Sequence, residues 1–367
     1  MARIAQQPVT GWKATAGSAA AVAAGLALVM GAAAPGNAAS VQGTAGTRAV
    51  PNCGAAVTGP MSGATRANAA AGKHGTAGRE TAPTTAATGN ASQQLSYGLA
   101  PEAPLGLWSS SNVTLRTPVS KGTVRLDVTT QGFIADSLLI QRYDTKSGHW
   151  VDLDHQPTSD ARPEKGTFSF PVSESASAGR PTTVALRVKA IDRPGRLTVT
   201  ASVEDGHGHT YRAPARSTVV DRPTTTVKGW QRGASLVRGG AAKEFELTVK
   251  NTTKRAYPAL NAGYFAYGQT GNRAVAPKDL VLQQYVPGRG WQRVSLVPGG
   301  CDPGMSAGLL PTAKSPLAPG TSAVYRMRLA VAGDAPLADV EAGVSVGTGD
   351  TSFYYGTLPF KIRGKQG

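Results

Sequence analysis

LLIQRYDTKSGHWVD (Leu138–Asp152) and LVLQQYVPGRGWQR (Leu280–Arg293) decide how this chain is to be read. Each places alternating apolar residues before a Gln and a Tyr, then a polar or Gly-rich break. Gly and Trp follow, as Gly148-His149-Trp150 in the first copy and Gly288-Arg289-Gly290-Trp291 in the second. Alternation on both sides of a short Gly-bearing loop is the mark of a β-hairpin. The second copy trails the first by a domain length, which predicts a duplicated β-domain. Tyr143 with Trp150 and Tyr285 with Trp291 hold equivalent places in the two hairpins. Cross-strand aromatic packing therefore accounts for them better than sugar stacking does.

Outward from the first hairpin, period-two patterning predicts strands at Leu105–Ser109, Val113–Arg116, Val124–Thr130, Ser137–Asp144, Trp150–Asp154, Thr167–Val172, Thr183–Ala190, Leu197–Val203 and Thr210–Val220. No stretch repeats apolar residues at helical spacing over three turns. Short strands with polar connections and no intervening helices argue for an antiparallel sandwich. The expected fold is all-β: two tandem immunoglobulin-like sandwiches at 95–222 and 223–367, joined by a Pro/Thr linker at Asp221–Lys228.

Within the second unit, Phe245–Val249 is expected to answer Val124–Val128, and Leu280–Tyr285 to answer Leu138–Tyr143. Tyr325–Leu329 then answers Val184–Val188, and Val340–Val346 answers Leu197–Val203. On this alignment AGYFAYG lies in an insertion, Ala259–Pro277, and GGCDPGMSAG forms a long loop after the hairpin. A difference in function between the repeats belongs in such loops. The two hairpins, the LAPGT segment at Leu317–Thr321 and the alternating strand after it resemble the tandem Ig-like secreted and cell-envelope proteins of high-GC Gram-positive bacteria. The resemblance implies an extracellular β-protein without a known catalytic site, and names no ligand. No sorting motif with apolar helix and basic tail closes LPFKIRGKQG, so covalent wall anchoring is not expected.

Ahead of the sandwiches, Arg3 and Lys13 precede an uncharged run from Ala19 to Ala34 and the small residues of GNAAS, the layout of a secretory signal peptide at 1–39. The run is too short and too rich in Ala and Gly for a spanning helix, so no transmembrane segment is expected in the mature chain. Residues 40–94 contain no Leu, Ile, Phe, Tyr or Trp and read as a disordered, low-complexity spacer. Charge is uneven: 223–367 holds 17 Lys and Arg against 8 Asp and Glu, whereas 95–222 holds 15 against 13. The expected consequence is retention near anionic wall polymers by a salt-sensitive attraction, with a merely soluble basic surface as the alternative. No nucleic-acid-binding motif is present, and the oligomeric state is not written in the residues.

Chemistry-bearing patterns are few. Gly343-Val344-Ser345-Val346-Gly347 matches G-x-S-x-G, but that motif needs a strand-to-helix turn and a later His, and the last His is His209. His207 and His209 beside Glu204 and Asp205 have the composition of a hairpin turn rather than of a metal site. The sequence therefore predicts neither an enzyme nor a cofactor. Tyr264, Phe265, Tyr267 and Tyr354 are candidate ligand-contact aromatics, because neighbouring aromatics on a strand point to opposite faces and some must lie outside the core; they would make the second unit a carbohydrate- or wall-polymer-binding module, with a domain–domain contact as the alternative. Cys53 and Cys301 are the only cysteines. In an exported protein they are a candidate disulfide, with a free or intermolecular thiol as the alternative.

Overall fold

A computed structural model of the chain describes residues 83, 87–90, 92–271, 273–299 and 304–365. The expected signal at 1–39, the spacer up to its last few residues, and both Cys53 and Cys301 lie outside the described residues. Apart from single 3-10 turns at Ala135–Ser137 and Pro277–Asp279, the described elements are strands.

The first sandwich comprises β1 (Leu95–Leu99), β2 (Ser109–Leu115), β3 (Val119–Gln131), β4 (Leu138–Asp144), β5 (His149–Asp152), β6 (Asp154–Pro157), β7 (Lys165–Glu174), β8 (Thr182–Ala190), β9 (Gly195–Glu204), β10 (Thr210–Arg212) and β11 (Arg216–Val220). One sheet runs β1-β2-β8-β4-β5 and the other β10-β9-β3-β7-β6, with β11 also on β9. Facing β1-β2-β8-β4 with β11-β9-β3 is the strand order of an immunoglobulin sandwich. The strands β5 to β7 are added between its fourth and fifth members. Alternation supplies the core: Val124, Leu126 and Val128 of β3 are buried, while Arg125 and Thr129 are exposed and Asp127 is half-buried.

The second sandwich comprises β12 (Thr224–Lys228), β13 (Ala234–Val237), β14 (Lys243–Lys250), β15 (Asn261–Thr270), β16 (Arg273–Ala274), β17 (Leu280–Val286), β18 (Gly290–Val294), β19 (Val297–Pro298), β20 (Met305–Gly308), β21 (Ser322–Val331), β22 (Asp339–Thr348), β23 (Thr351–Thr357) and β24 (Phe360–Arg363). Its sheets run β12-β14-β21-β17-β18 and β13-β24-β22-β15-β20-β19. The strand order of the first sandwich thus recurs in the second, with β13 and β16 added, and it corrects the alignment drawn from sequence. Phe245–Val249 lies in β14, the counterpart of β2, not of Val124–Val128. That stretch of β3 is answered by β15, so AGYFAYG is a central strand of the fold rather than an insertion. Apolar alternation alone does not distinguish one inward-facing strand from the next, and FELTV imitates VRLDV well enough to hide the shift.

Two further expectations change. Leu105–Leu107 forms a turn whose Leu105 is wholly buried, Ser109 already belongs to β2, and the strand before the turn is β1. The linker at Asp221–Lys228 is mostly β12, paired with β14 from Thr224↔Lys250 to Lys228↔Glu246. Only three residues separate β11 from β12, and the buried side chains of both sandwiches form one continuous cluster.

The seam is specific. Tyr257, with no exposed surface, donates its hydroxyl to the Leu105 carbonyl at 3.0 Å, and its ring centroid lies 5.7 Å from that of Phe353. Arg255 Nη1 donates to Trp108 O at 2.8 Å and to Ser109 Oγ at 3.1 Å, and Arg222 donates to Phe353 O. Lys254 pairs with Glu102, and Lys189 Nζ lies 3.4 Å from Asp350 Oδ1.

Just past the far end of β2, Arg116 is buried with no carboxylate partner among the described residues. Its Nη1 donates to Ser96 Oγ at 2.8 Å and its Nη2 to the carbonyls of Thr88 and Gly89, at 2.6 and 3.3 Å. Thr88 also bonds Asn112 and Thr114, so the end of the low-complexity stretch is fastened to β2.

Because the core crosses the seam, the two sandwiches should unfold together. Leu105→Ala is expected to cost about 2–5 kcal/mol and to lower one shared transition in denaturant. Two transitions, of which the variant moves only the first, would contradict a shared core.

Candidate functional site

The hairpins that open the sequence are built alike in space. Tyr143 pairs with Trp150 and Tyr285 with Trp291 across the strands, with ring centroids 5.5 and 5.6 Å apart and interplanar angles of 70° and 71°. A cation completes each group. Arg187 lies 4.4 Å from the Trp150 ring and bonds Gln141 at 2.6 Å, and Arg328 lies 4.5 Å from the Trp291 ring and bonds Gln283 at 2.8 Å. Edge-to-face rings with a guanidinium over the indole stabilise a hairpin tip. All four aromatics are engaged in this packing.

The first hairpin closes through Asp144, whose carboxylate accepts the N–H groups of Lys146 and Ser147 at 3.1 and 3.3 Å, and Gly148 takes φ +74°. The Ser147 hydroxyl and the Lys146 N–H together hold Asp144 below the usual carboxylate range.

Strand parity sorts the candidate ligand-contact aromatics. Tyr264 is buried at 1% exposure, its hydroxyl facing the interior, and is removed from the set. Phe265 and Tyr267, one residue to either side of Ala266, face outward, and Tyr267 is exposed. Tyr354 packs partly buried against the core, and Tyr355 takes its place outside at 61% exposure. The reason is an irregularity in the pairing of β22 with β23. Val346 faces Tyr354 while Gly347 faces Ser352, leaving Phe353 as an extra residue that turns into the seam.

Phe265 and Tyr355 meet over the intervening strand, stacked with centroids 4.6 Å apart and planes 19° from parallel. They can do so because Gly343, opposite Phe265, has no side chain. A Cβ there would sit 2.2 Å from Phe265 Cζ. Beside this stack the outward face of β22-β15-β20 sinks into a groove of about 890 Å3. Its floor is Gly263, Ser345, Gly347, Ser306 and Gly308, and its far rim reaches Asp350 at the seam.

Ser345 of the G-x-S-x-G match is one of these floor residues. It sits inside a continuous strand, paired with Gly263 and Tyr355, with no strand-to-helix turn. The His loop is likewise structural. Asp205 Oδ1 accepts the N–H groups of His207 and His209 at 2.7 and 3.1 Å, and Oδ2 lies 2.8 Å from His209 Nδ1. Burial pushes the Asp205 carboxyl up, but these bonds outweigh it and bring it to about 2. Among the described residues no three His, Cys, Asp or Glu side chains converge as metal ligands would.

No family model matches the chain, and no curated protein matches it. Several solved structures resemble it distantly. The C-terminal domain of the Streptococcus pyogenes antigen I/II-family protein AspA is 9% identical, with a TM-score of 0.38 over 73% of this chain and 99% of that one. The collagen-binding subdomain of the Enterococcus faecalis surface protein ACE is 6% identical, with a TM-score of 0.22 over 35% and 96%. AvmM, which catalyses macrocyclization in alchivemycin A biosynthesis, is 14% identical, with a TM-score of 0.32 over 40% and 90%. A collagen-binding subdomain and an enzyme sit side by side at these scores, so the comparison carries nothing about activity.

Gly343→Val is expected to drive Phe265 off Tyr355 and to cost about 1–3 kcal/mol through overpacking. Near-ultraviolet circular dichroism reads the lost stack, and an unchanged spectrum would contradict it. Asp205 makes a second prediction. With a folded value of about 2 against an unfolded value near 3.9, its contribution is complete above about pH 4 and is lost as the pH falls toward 2. The stability gap between wild type and Asp205→Asn should close over that window, whereas a pH-independent gap would assign the effect to something else.

Proposed function

We propose that this protein is a secreted, non-enzymatic structural or adhesive module of the bacterial cell envelope, held there by the positive charge of its second sandwich. The observation that carries the reading is where that charge lies. None of the 17 Lys and Arg of residues 223–367 is buried. Ion pairs with carboxylates engage Lys254, Arg273 and Lys361 among them. Such a surface attracts polyanions over roughly a Debye length, about 10 Å at 0.1 M salt, without recognising their sequence.

The continuous core at the seam supports a structural role, since it transmits load from one sandwich to the other as through a single body. Anionic wall polymers are the partner this surface suits. Among the described residues no helix is long and apolar enough to cross a membrane, and retention by charge needs none.

Binding of the full chain to purified cell wall, followed by elution with rising NaCl, tests the reading. Replacing Arg289, Arg293, Lys314 and Lys365 with Glu, all exposed, should bring elution to markedly lower salt. The same reversal at Lys146, Arg162, Arg180 and Arg193 of the first sandwich should have a smaller effect. Equal effects from the two sets, or elution that ignores salt, would sink it.

A further inference from the structure

We propose that the groove on the outward face of β22-β15-β20 binds a neutral polysaccharide chain, a specific site separate from the charge that holds the protein to polyanions. Its chemistry is unlike that of the surrounding surface. Among the described residues lining it, Asp350 alone is charged, and Asp350 faces Lys189 of the first sandwich at 3.4 Å. An anionic polymer would find no counter-charge there. A sugar chain would find what it requires: an aromatic surface for its C–H faces at Phe265, and hydroxyls at Ser306 and Ser345 for its own hydroxyls. At about 890 Å3 the groove falls within the size range of ligand pockets.

The glycines of the floor distinguish a built site from a chance hollow. Gly347 is bare because a Cβ there would sit 2.4 Å from Thr351 O, and Gly263 because one would press on Ser345 Oγ at 3.0 Å, which are packing reasons. Gly308 has none: a Cβ there would meet nothing within 4 Å, and its backbone is not among those with positive φ. A strand glycine that neither packing nor backbone demands marks a place where something else approaches the backbone closely.

The first sandwich supplies the contrast. On its matching face Arg125 lies between Ser169 and Ser202, and Thr167 Oγ1 donates to Asp127 Oδ1 at 3.0 Å. Side chains cover that sheet. In the second sandwich β20 has four residues where its counterpart β7 has ten, and the shortened strand leaves the floor open.

Titration calorimetry of the full chain against four neutral polysaccharides (dextran, mannan, galactan and a soluble β-1,3-glucan), with poly(glycerol phosphate) as the anionic control, tests the inference. At least one neutral polymer should bind with an affinity that is the same at about 0.05 and about 0.5 M NaCl. Gly308→Trp, which fills the groove without a clash at its Cβ, should weaken that binding about tenfold or more, and Tyr355→Ala, at an exposed position, should weaken it about tenfold. Failure of all four neutral polymers to bind, binding that survives both substitutions, or binding abolished by salt would each overturn it. Salt-eluted retention on cell wall by Gly308→Trp reports on the charge-based reading separately, because the substitution leaves every cation in place.

Discussion

The Tyr257 side chain, buried to its hydroxyl between two β-sandwiches, is the contact on which the rest of the molecule depends. A phenol taken out of water must find a partner for its O–H, and the partner here is a backbone carbonyl of the other sandwich, Leu105 O. That bond fixes a turn of the first repeat against a loop of the second. Around it Phe353 closes the apolar contact, while Arg222 and Arg255 satisfy carbonyls that the seam would otherwise strip of water. A tandem repeat joined in this way has a core that ignores the domain boundary, and the groove ends at the seam because Asp350 belongs to both.

Duplication explains which features are shared and which are not. Both copies keep the Tyr–Trp–Arg–Gln group, whose four members lie on three adjacent strands and stabilise one another. Both keep the bond from the turn ahead of β2 or its counterpart β14 to the end of β8 or its counterpart β21, Gly106 N to Ala190 O and Gly239 N to Val331 O, each at 2.8 Å. What diverged is the outward face of the second sheet. There one copy retains a full-length strand and polar side chains, and the other has a shortened strand, glycines and stacked aromatics.

Much of this was legible in the residues. The hairpins, the duplication, the all-β class and the inward halves of the strands follow from period-two alternation and turn composition. The seam was not, because Leu105 and Tyr257 lie in turns, where apolar residues follow no period and only a distant partner explains them. The site was half legible. Parity requires that some of the neighbouring aromatics lie outside the core, but it cannot tell Phe265 and Tyr267 from Tyr264 until the strand's inward face is known. The exchange of Tyr354 for Tyr355 hangs on one extra residue in β23, which no local pattern announces. Gly308 and Gly263 carried no signal, since a groove made by the absence of side chains is visible only when neighbouring strands are laid side by side.

The last strand, β24, runs parallel to β13, from Ala234↔Phe360 to Val237↔Arg363, although nearly every other pairing is antiparallel. Tension that pulls the chain entering β13 backward and the chain leaving β24 forward acts along both strands in opposite directions. Every ladder bond between them is then stretched at once, as the teeth of a clasp are, and none can be peeled open singly.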